Sequence, residues 1–310
     1  MYKFVCVLAA AVALVSGCAG SKAHRGSVNT AERARGLTVY RSDGTSSRWD
    51  AMVEACAGAD AVFMGEAHGH PLGLPFASEL WKDVLAKSPG AALSLEFFER
   101  DEQAKLDDFL KGVSTEEEFR KRAQRNEGNY PPGHEAMVEA AKEAGRPVIA
   151  SNAPRPYVRL VRQKGFEALD TLTPEQRRLV RKPDELIGGH YHEEFVKLMS
   201  PMPGHGDTDK PEDPEKARER VEAMYRSQQT WDWTMAESVE RGLAAGCRPV
   251  VHVVGSFHVN HEGGLVQVLK KMREGVRVVT VSVVDVEAPA LRDEDKGRAD
   301  FVVYVGPGKN

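Results

Sequence analysis

Two short apolar runs in this 310-residue chain end in the same pattern, Gly-x-x-His. The run 61–64 leads into Gly-Glu-Ala-His at 65–68, and the run 250–254 leads into Gly-Ser-Phe-His at 255–258. Apolar runs of this length are typical of strands that are buried on both faces, as in a parallel sheet. Ligands bind beyond the carboxyl ends of such strands. The pattern therefore predicts one shared site that contains His68 and His258.

Strand and helix signals alternate along the chain, which predicts an α/β fold with a mainly parallel β-sheet flanked by helices. The stretch 156–241 contains no strand signal and is typical of helices, with a good helix start at Asp213 and Pro214. We therefore predict an α/β core domain formed by 37–155 and 242–308. The residues 156–241 are predicted to form a smaller, inserted all-helical domain that acts as a lid.

The amino-terminal residues are typical of an exported protein. Lys3 precedes an apolar run at 4–15, and small residues precede Cys18, so 1–17 is predicted to be a lipoprotein signal peptide. This segment resembles the bacterial lipobox, which implies lipid on Cys18; the alternative is a plain secretory signal. The residues 18–36 are rich in Gly, Ser and Ala and predict a flexible tether. Ala19, rather than Asp, follows the cysteine, which favours outer-membrane localisation, on the periplasmic face or the cell surface.

The charge balance argues against nucleic acid as a partner. The chain has 42 Lys and Arg against 46 Asp and Glu, a net charge of −4, whereas non-specific nucleic-acid binding needs a basic surface. Two further cysteines, Cys56 and Cys247, each precede one of the Gly-x-x-His strands. Neighbouring parallel strands would place both thiols at one edge of the sheet, where a disulfide or two separate buried thiols are both compatible with the sequence.

Polar clusters follow four of the predicted strands. Besides the two Gly-x-x-His motifs, these are Glu96-Phe-Phe-Glu99-Arg and Asn152-Ala-Pro-Arg155. Imidazoles and carboxylates are the usual ligands of zinc, manganese or iron, and Glu99 is a candidate general base if burial raises its pKa. The alternative for each Gly-x-x-His motif alone is an ordinary turn with a hydrogen-bonded histidine.

The predicted insertion carries its own cluster of candidate ligands. Gly-Gly-His-Tyr-His at 188–192 is followed by Met199, Met202 and His205, and His, Tyr and Met all serve as axial ligands of haem. The alternative is a polar helix end with surface histidines. Further along, Gln228 and Asp232 fall on one helical face. The chain has no Cys-x-x-Cys-His, which excludes covalent c-type haem, and no serine-hydrolase, Walker or zincin motif.

Taken in order, these motifs resemble the ChaN-like haem-binding lipoproteins, within the superfamily of Tiki proteases, TraB-type proteins and erythromycin esterases. The resemblance rests on Gly-Glu-Ala-His at 65–68, on 96–100, on Tyr130-x-Pro132, on 152–155, on Asp232-x-x-Met-Ala and on Gly-Ser-Phe-His at 255–258. It implies haem binding between paired subunits, as a homodimer, and a role in haem or iron uptake at the outer membrane.

The resemblance also implies which residues form the sites. In the wider superfamily the two motifs and the glutamates form a metal or hydrolytic site. A divalent metal (zinc, manganese or cobalt) would then be held by His68, His258, Glu66 and Glu96. An enzyme, as a metal-dependent peptidase or esterase, would use Glu66, Glu96, Glu99 and Arg155. The candidate haem contacts are Tyr191, His205 and Tyr130.

Overall fold

The computed structural model describes residues 30–126, 128–200 and 213–308. These form an α/β fold around an eight-stranded sheet in the order β2-β1-β8-β7-β3-β6-β4-β5. The strands are β1 (Val39–Arg41), β2 (Ser46–Ser47), β3 (Ala61–Glu66), β4 (Ala92–Glu99), β5 (Val148–Asn152), β6 (Val250–Gly255), β7 (Val278–Val284) and β8 (Phe301–Tyr304).

The two motif strands, β3 and β6, are direct parallel neighbours. Their register pairs Gly65 with Val254 and Glu66 with Gly255, so both motifs leave the sheet at the same edge. The strand β4 is the next parallel neighbour of β6, and β5 is the next parallel neighbour of β4. The predicted α/β fold with a mainly parallel sheet is confirmed; the antiparallel pairs are those of β1 with β2 and of β1 with β8.

Helices cover both faces of the sheet. They are α1 (Trp49–Ala57), α2 (Gly73–Lys87), α3 (Gln103–Leu110), α4 (Glu116–Arg122), α5 (Pro132–Glu143), α6 (Arg155–Lys164), α7 (Pro174–Arg177), α8 (His190–Met199), α9 (Pro214–Ala244) and α10 (Gly264–Met272). None of these helices is both long enough and apolar enough to cross a bilayer.

Alternate side chains of the central strands enter two different cores. In β3, Val62 and Met64 pack on the side of α1 to α5, whereas Ala61 and Phe63 pack on the side of α8, α9 and α10. This is the period of two that a strand imposes on its side chains. Because both faces are covered by helices, the strand sequences are continuously apolar, as the sequence pattern predicts.

The described part of 156–241 contains helices and no strand. The helix α9 begins as predicted, because the carboxylate of Asp213 accepts a hydrogen bond from the backbone N–H of Glu215 at 2.8 Å. The carboxyl-terminal part of α9 packs on β5 and on α10. Much of this helix is therefore a layer of the α/β core, and the division into a core and a separate lid domain stays a prediction.

The predicted signal peptide, Cys18, Met202 and His205 lie outside the described residues. Within the stretch predicted to be a tether, residues 30–35 are helical and Ala34 is buried in the core. Arg35 forms an ion pair with Asp83 of α2 at 2.9 Å. These contacts place the start of the packed chain some residues before the predicted boundary at 37.

Both cysteines of the folded region are free thiols and both are buried. Burial raises the pKa of the Cys56 thiol to about 12, with a smaller contribution from the charge of Asp300. A thiol in this environment carries almost no reactive thiolate near neutral pH.

We expect Cys56 to resist alkylation in the folded protein at pH 8 and to react once the chain is unfolded. Labelling with iodoacetamide without reductant, followed by peptide mass mapping, measures this directly. Both Cys56 and Cys247 should be alkylated after unfolding. A peptide pair linked through Cys56 and Cys247 would contradict the structure.

Candidate functional site

A cavity of about 320 Å³ lies at the carboxyl ends of β3 and β6. His68 and His258 both line it, so the structure brings the two predicted histidines together. Glu66 and Gln228 supply further polar groups. The apolar part of the wall comes mainly from the end of α8 and from Phe257, with Phe195, Leu198 and Met199 of α8.

His68 is held by a buried carboxylate. Its Nδ1 lies 2.8 Å from Oε1 of Glu66, and Nε2 of His134 lies 2.8 Å from Oε2 of the same carboxylate. Glu66 is 2 % exposed, and His134 is fully buried. Burial by itself raises the pKa of Glu66, but the hydrogen bonds and charges of His134 and His68 outweigh it and lower the pKa to about 2. Glu66 is therefore ionised throughout the physiological range.

An ionised carboxylate only accepts hydrogen bonds. Both histidines must therefore donate to Glu66, His134 through Nε2–H and His68 through Nδ1–H. The neutral form of His68 then carries its lone pair on Nε2, and its side chain is 60 % exposed. A Cβ on Gly255 would lie only 2.8 Å from this Nε2, so the glycine of the second motif leaves room for the imidazole of the first.

His258 is held in the same way on the other side of the cavity. Its Nδ1 lies 2.6 Å from Oδ1 of Asp232, and the hydroxyl of Tyr191 donates to Oδ2 of Asp232 at 2.8 Å. The amide of Gln228 donates to the Tyr191 hydroxyl at 2.8 Å. Gly264 gives space to this group, since a Cβ there would lie 2.4 Å from Asp232 Oδ2.

The buried groups on this side have shifted pKa values. Burial raises the pKa of Asp232, against the charge and hydrogen bond of His258. Burial lowers the pKa of His258, but the charge and hydrogen bond of Asp232 prevail and raise it. Burial and the charge of Asp232 raise the pKa of Tyr191 well above its usual range. Tyr191 is therefore a neutral hydrogen-bond donor to Asp232.

Glu96 lies between the two histidines. Its Oε2 accepts the backbone N–H of Gly255 at 2.7 Å, and its Oε1 is 3.8 Å from Nε2 of His258. Among the residues that the structure describes, no group of three or more His, Cys, Asp or Glu side chains is arranged to hold a metal ion. The metal set of His68, His258, Glu66 and Glu96 stays a prediction; in this structure Glu66 is hydrogen-bonded to His68 and His134, and Glu96 to the backbone of Gly255.

Glu99 and Arg155 lie apart from the histidine cavity. They line a neighbouring polar cavity of about 340 Å³ on the other side of Phe97, and they form an ion pair of 3.4 Å between Oε1 and Nε. The register of β4 against β5 shifts between Leu95 and Glu99, which changes the direction of the strand end. Burial raises the pKa of Glu99, as predicted, but the structure does not bring this carboxylate to His68 and His258.

The candidate haem contacts are placed as follows. Tyr191 is 5 % exposed, and its hydroxyl is occupied by Asp232 and Gln228. Tyr130 is 2 % exposed and packs against Phe98 and Phe119, so a haem ligand there would require the core to open. His205 lies outside the described residues.

Sequence reasoning missed His134 altogether. It is the third residue of α5, in the first turn after Pro132, and reaches Glu66 across 68 residues of chain. A histidine directly after a Pro-Pro-Gly helix start was the available signal. Gln228 and Asp232 share a helical face as predicted, but their hydrogen bonds to Tyr191 and His258 were not predicted from the sequence.

The model of a family described as "Haem-binding uptake, Tiki superfamily, ChaN" matches residues 52–269. That match covers more than half of the chain, and the fold and motif positions agree with it. This chain belongs to the ChaN family of the Tiki superfamily. A search of curated proteins finds no match.

Several solved structures are similar to this chain. ChaN of Campylobacter jejuni, solved with cofacial haem, has a TM-score of 0.65 at 15 % identity, over 88 % of this chain and 97 % of that chain. The type III effector HopBA1 has a TM-score of 0.46 at 12 % identity, over 84 % and 93 %. The erythromycin esterase EreC has a TM-score of 0.42 at 12 % identity, over 83 % and 78 %. At these identities the ChaN likeness shows the fold alone.

We expect Glu66 and His134 to set the protonation of His68. The hydrogen bond from His68 to Glu66 raises the pKa of His68, partly offset by burial. Glu66→Gln removes the charge, so the pKa of His68 should fall, and His134→Leu should disturb it through Glu66. NMR titration of the imidazole Cε1–H measures this.

His134→Gln is the matched variant, because its amide can still donate to Glu66. It should keep the His68 titration closer to that of the unmodified protein than His134→Leu does. An unchanged His68 titration in Glu66→Gln would contradict the hydrogen-bond assignment.

Proposed function

We propose that this protein binds haem in the cavity around His68 and takes part in haem uptake as a lipid-anchored protein of the outer membrane. The observation that carries the proposal is the partly exposed imidazole of His68, whose Nδ1 is held by the buried Glu66 carboxylate, so that Nε2 keeps its lone pair for a ligand. A histidine whose other ring nitrogen donates to a carboxylate is a favourable ligand for a metal centre. Family membership supports haem as the group that carries the metal.

The chemistry of the cavity lining suits a haem. Haem has an apolar ring with carboxylates at one edge, and it needs an axial ligand, an apolar wall and a cation. His68 offers the ligand, and Leu198, Met199 and Phe257 offer the apolar wall. Arg298 offers the cation on a wall that also carries Asp285, and its Nε is paired with Asp295 at 2.5 Å. When bound, haem would supply an iron centre.

The cavity of about 320 Å³ is at the small end of the range for ligand pockets. Leu198, on the apolar wall of the same cavity, is 48 % exposed. The exposed apolar face on this side of the cavity would favour contact with a second copy of the chain, since large exposed apolar patches are usually covered. The structure of the Campylobacter relative carries cofacial haem, and we propose a haem-linked homodimer here.

The alternative function, a metal-dependent hydrolase, would use the same two histidines. It requires a converging set of metal ligands, and the described residues contain none. The His258–Asp232 pair is then available to a haem protein as a hydrogen-bonding group on the opposite wall of the cavity. Haem binding therefore accounts for more of the observed contacts than a metal-dependent hydrolase does.

Haemin titration tests the proposal. We expect the unmodified protein to give a Soret band with saturable binding, and His68→Ala to weaken binding at least about tenfold, or about 1.4 kcal/mol, through loss of the axial ligand. His192→Ala is the matched control, because His192 lies on α8 but pairs with Glu222 and does not line the cavity.

Two further variants test which residue ligates the haem, separately from whether haem binds. Tyr191→Phe should leave the Soret band in place, because the hydroxyl is held by Asp232. If His205→Ala abolished the band and His68→Ala did not, haem binding would stand and His68 would be the wrong ligand. No spectral change at stoichiometric haemin in the unmodified protein would reject haem binding.

The membrane anchor is tested separately. We expect Cys18 to be acylated and the protein to fractionate with outer membranes. Metabolic labelling with palmitate and membrane fractionation measure both properties, and Cys18→Ser should lose the label and release the protein. Cys56→Ser is the matched control, since Cys56 is a buried thiol of the core. Labelled Cys18→Ser protein would contradict the anchor.

A further inference from the structure

A second cavity of about 450 Å³ lies beside the edge strand β5. It shares no lining residue with the His68 cavity. Most of its wall is apolar and comes from the strand, the end of α9 and the segment after α7, with Pro147, Ile149, Leu179, Gly242 and Cys247. Its volume falls within the usual range for small-molecule sites.

Three arginines line the same cavity: Arg100, which is buried, and Arg178 and Arg241, which are exposed. Arg100 and Arg241 share one carboxylate, that of Glu237, at 2.8 Å and 2.9 Å. The guanidinium of Arg178 has no hydrogen bond or ion pair to another residue within the described ranges. The cavity therefore carries more positive than negative charge, although its walls are apolar.

Arg100 is a built part of this cavity rather than a surface side chain. It is 7 % exposed, and its guanidinium donates to the hydroxyl of Ser238 at 2.9 Å and to the carbonyl of Thr234. Burial lowers the pKa of Arg100 to about 10, Glu237 raises it, and the charge of Arg241 lowers it. Arg100 therefore keeps its charge at neutral pH inside an apolar surrounding.

The outer edge of β5 is closed to a pairing strand. The side-chain amide of Gln103 donates to the carbonyl of Val148 at 2.9 Å and accepts the N–H of Ala150 at 2.7 Å. These are the backbone groups that an added strand would use. An occupant of the cavity is therefore bound through the arginines and the apolar wall, not through β-pairing.

We propose that this cavity binds a long-chain carboxylate, with its head group at Arg178 and Arg241 and its hydrocarbon chain along Ile149 and Leu179. Guanidinium groups bind carboxylates through two parallel hydrogen bonds. The hydrocarbon gains free energy by leaving water for the apolar wall. A neutral or cationic amphiphile would lack the match to the arginines.

Titration with carboxyl-¹³C-labelled dodecanoate, followed by NMR, tests this on the purified protein. We expect saturable binding of one molecule per chain, and dodecylammonium should bind at least about tenfold more weakly. Arg178→Glu should weaken dodecanoate binding about tenfold. Arg177→Glu is the matched control, because it makes the same change at a neighbouring exposed residue that does not line the cavity.

Further measurements locate the site. Ala245→Trp places a large side chain on the exposed rim of the cavity and should block dodecanoate. His68→Ala should leave dodecanoate binding unchanged, and stoichiometric haemin should not displace it. Absence of binding, equal loss in Arg177→Glu and Arg178→Glu, equal binding of dodecylammonium, or displacement by haemin would each overturn the proposal.

Discussion

Two buried carboxylates, Glu66 and Asp232, impose the constraint on which the site depends. A carboxylate removed from water costs several kcal/mol unless hydrogen bonds and charges replace the lost hydration. Each carboxylate here binds one histidine Nδ1 with one oxygen and a second donor with the other. Removing one member of such a buried pair typically costs about 3–5 kcal/mol. The same contacts therefore stabilise the core and orient the two imidazoles.

The parallel pairing of β3 and β6 brings the ends of the two motif strands close together. A Cβ at Gly65 would lie 2.9 Å from the Cα of Ser256, and a Cβ at Gly255 would lie 2.8 Å from Nε2 of His68. Each motif glycine thus makes room for the turn or side chain of the other strand. The repeated glycine in the two motifs has a steric cause, which is the close approach of two strand ends at one edge.

The helix α9 links the two cavities of the molecule. Its residues Gln228 and Asp232 hold His258 and Tyr191 at the first cavity. Two turns further on, Ser238 and Arg241 line the second cavity beside β5. The helix carries residues of both cavities because it crosses the face of the sheet from the carboxyl ends of the strands to the outer edge. This ChaN-family fold therefore contains, besides the cavity around His68, a separate cationic and apolar cavity.

The sequence by itself determined the local features. Continuous apolar runs specify strands buried on both faces, and the strand and helix alternation specifies the parallel sheet. The repeated Gly-x-x-His motif was enough to predict that His68 and His258 share a cavity. The tertiary structure alone decided the partners: His134 reaches Glu66 across 68 residues, and Asp232 reaches His258 from another helix. It also separated Glu99 from the site through the irregular end of β4. Local patterns fix backbone conformation, whereas the donors around a buried charge are fixed only when distant segments pack together.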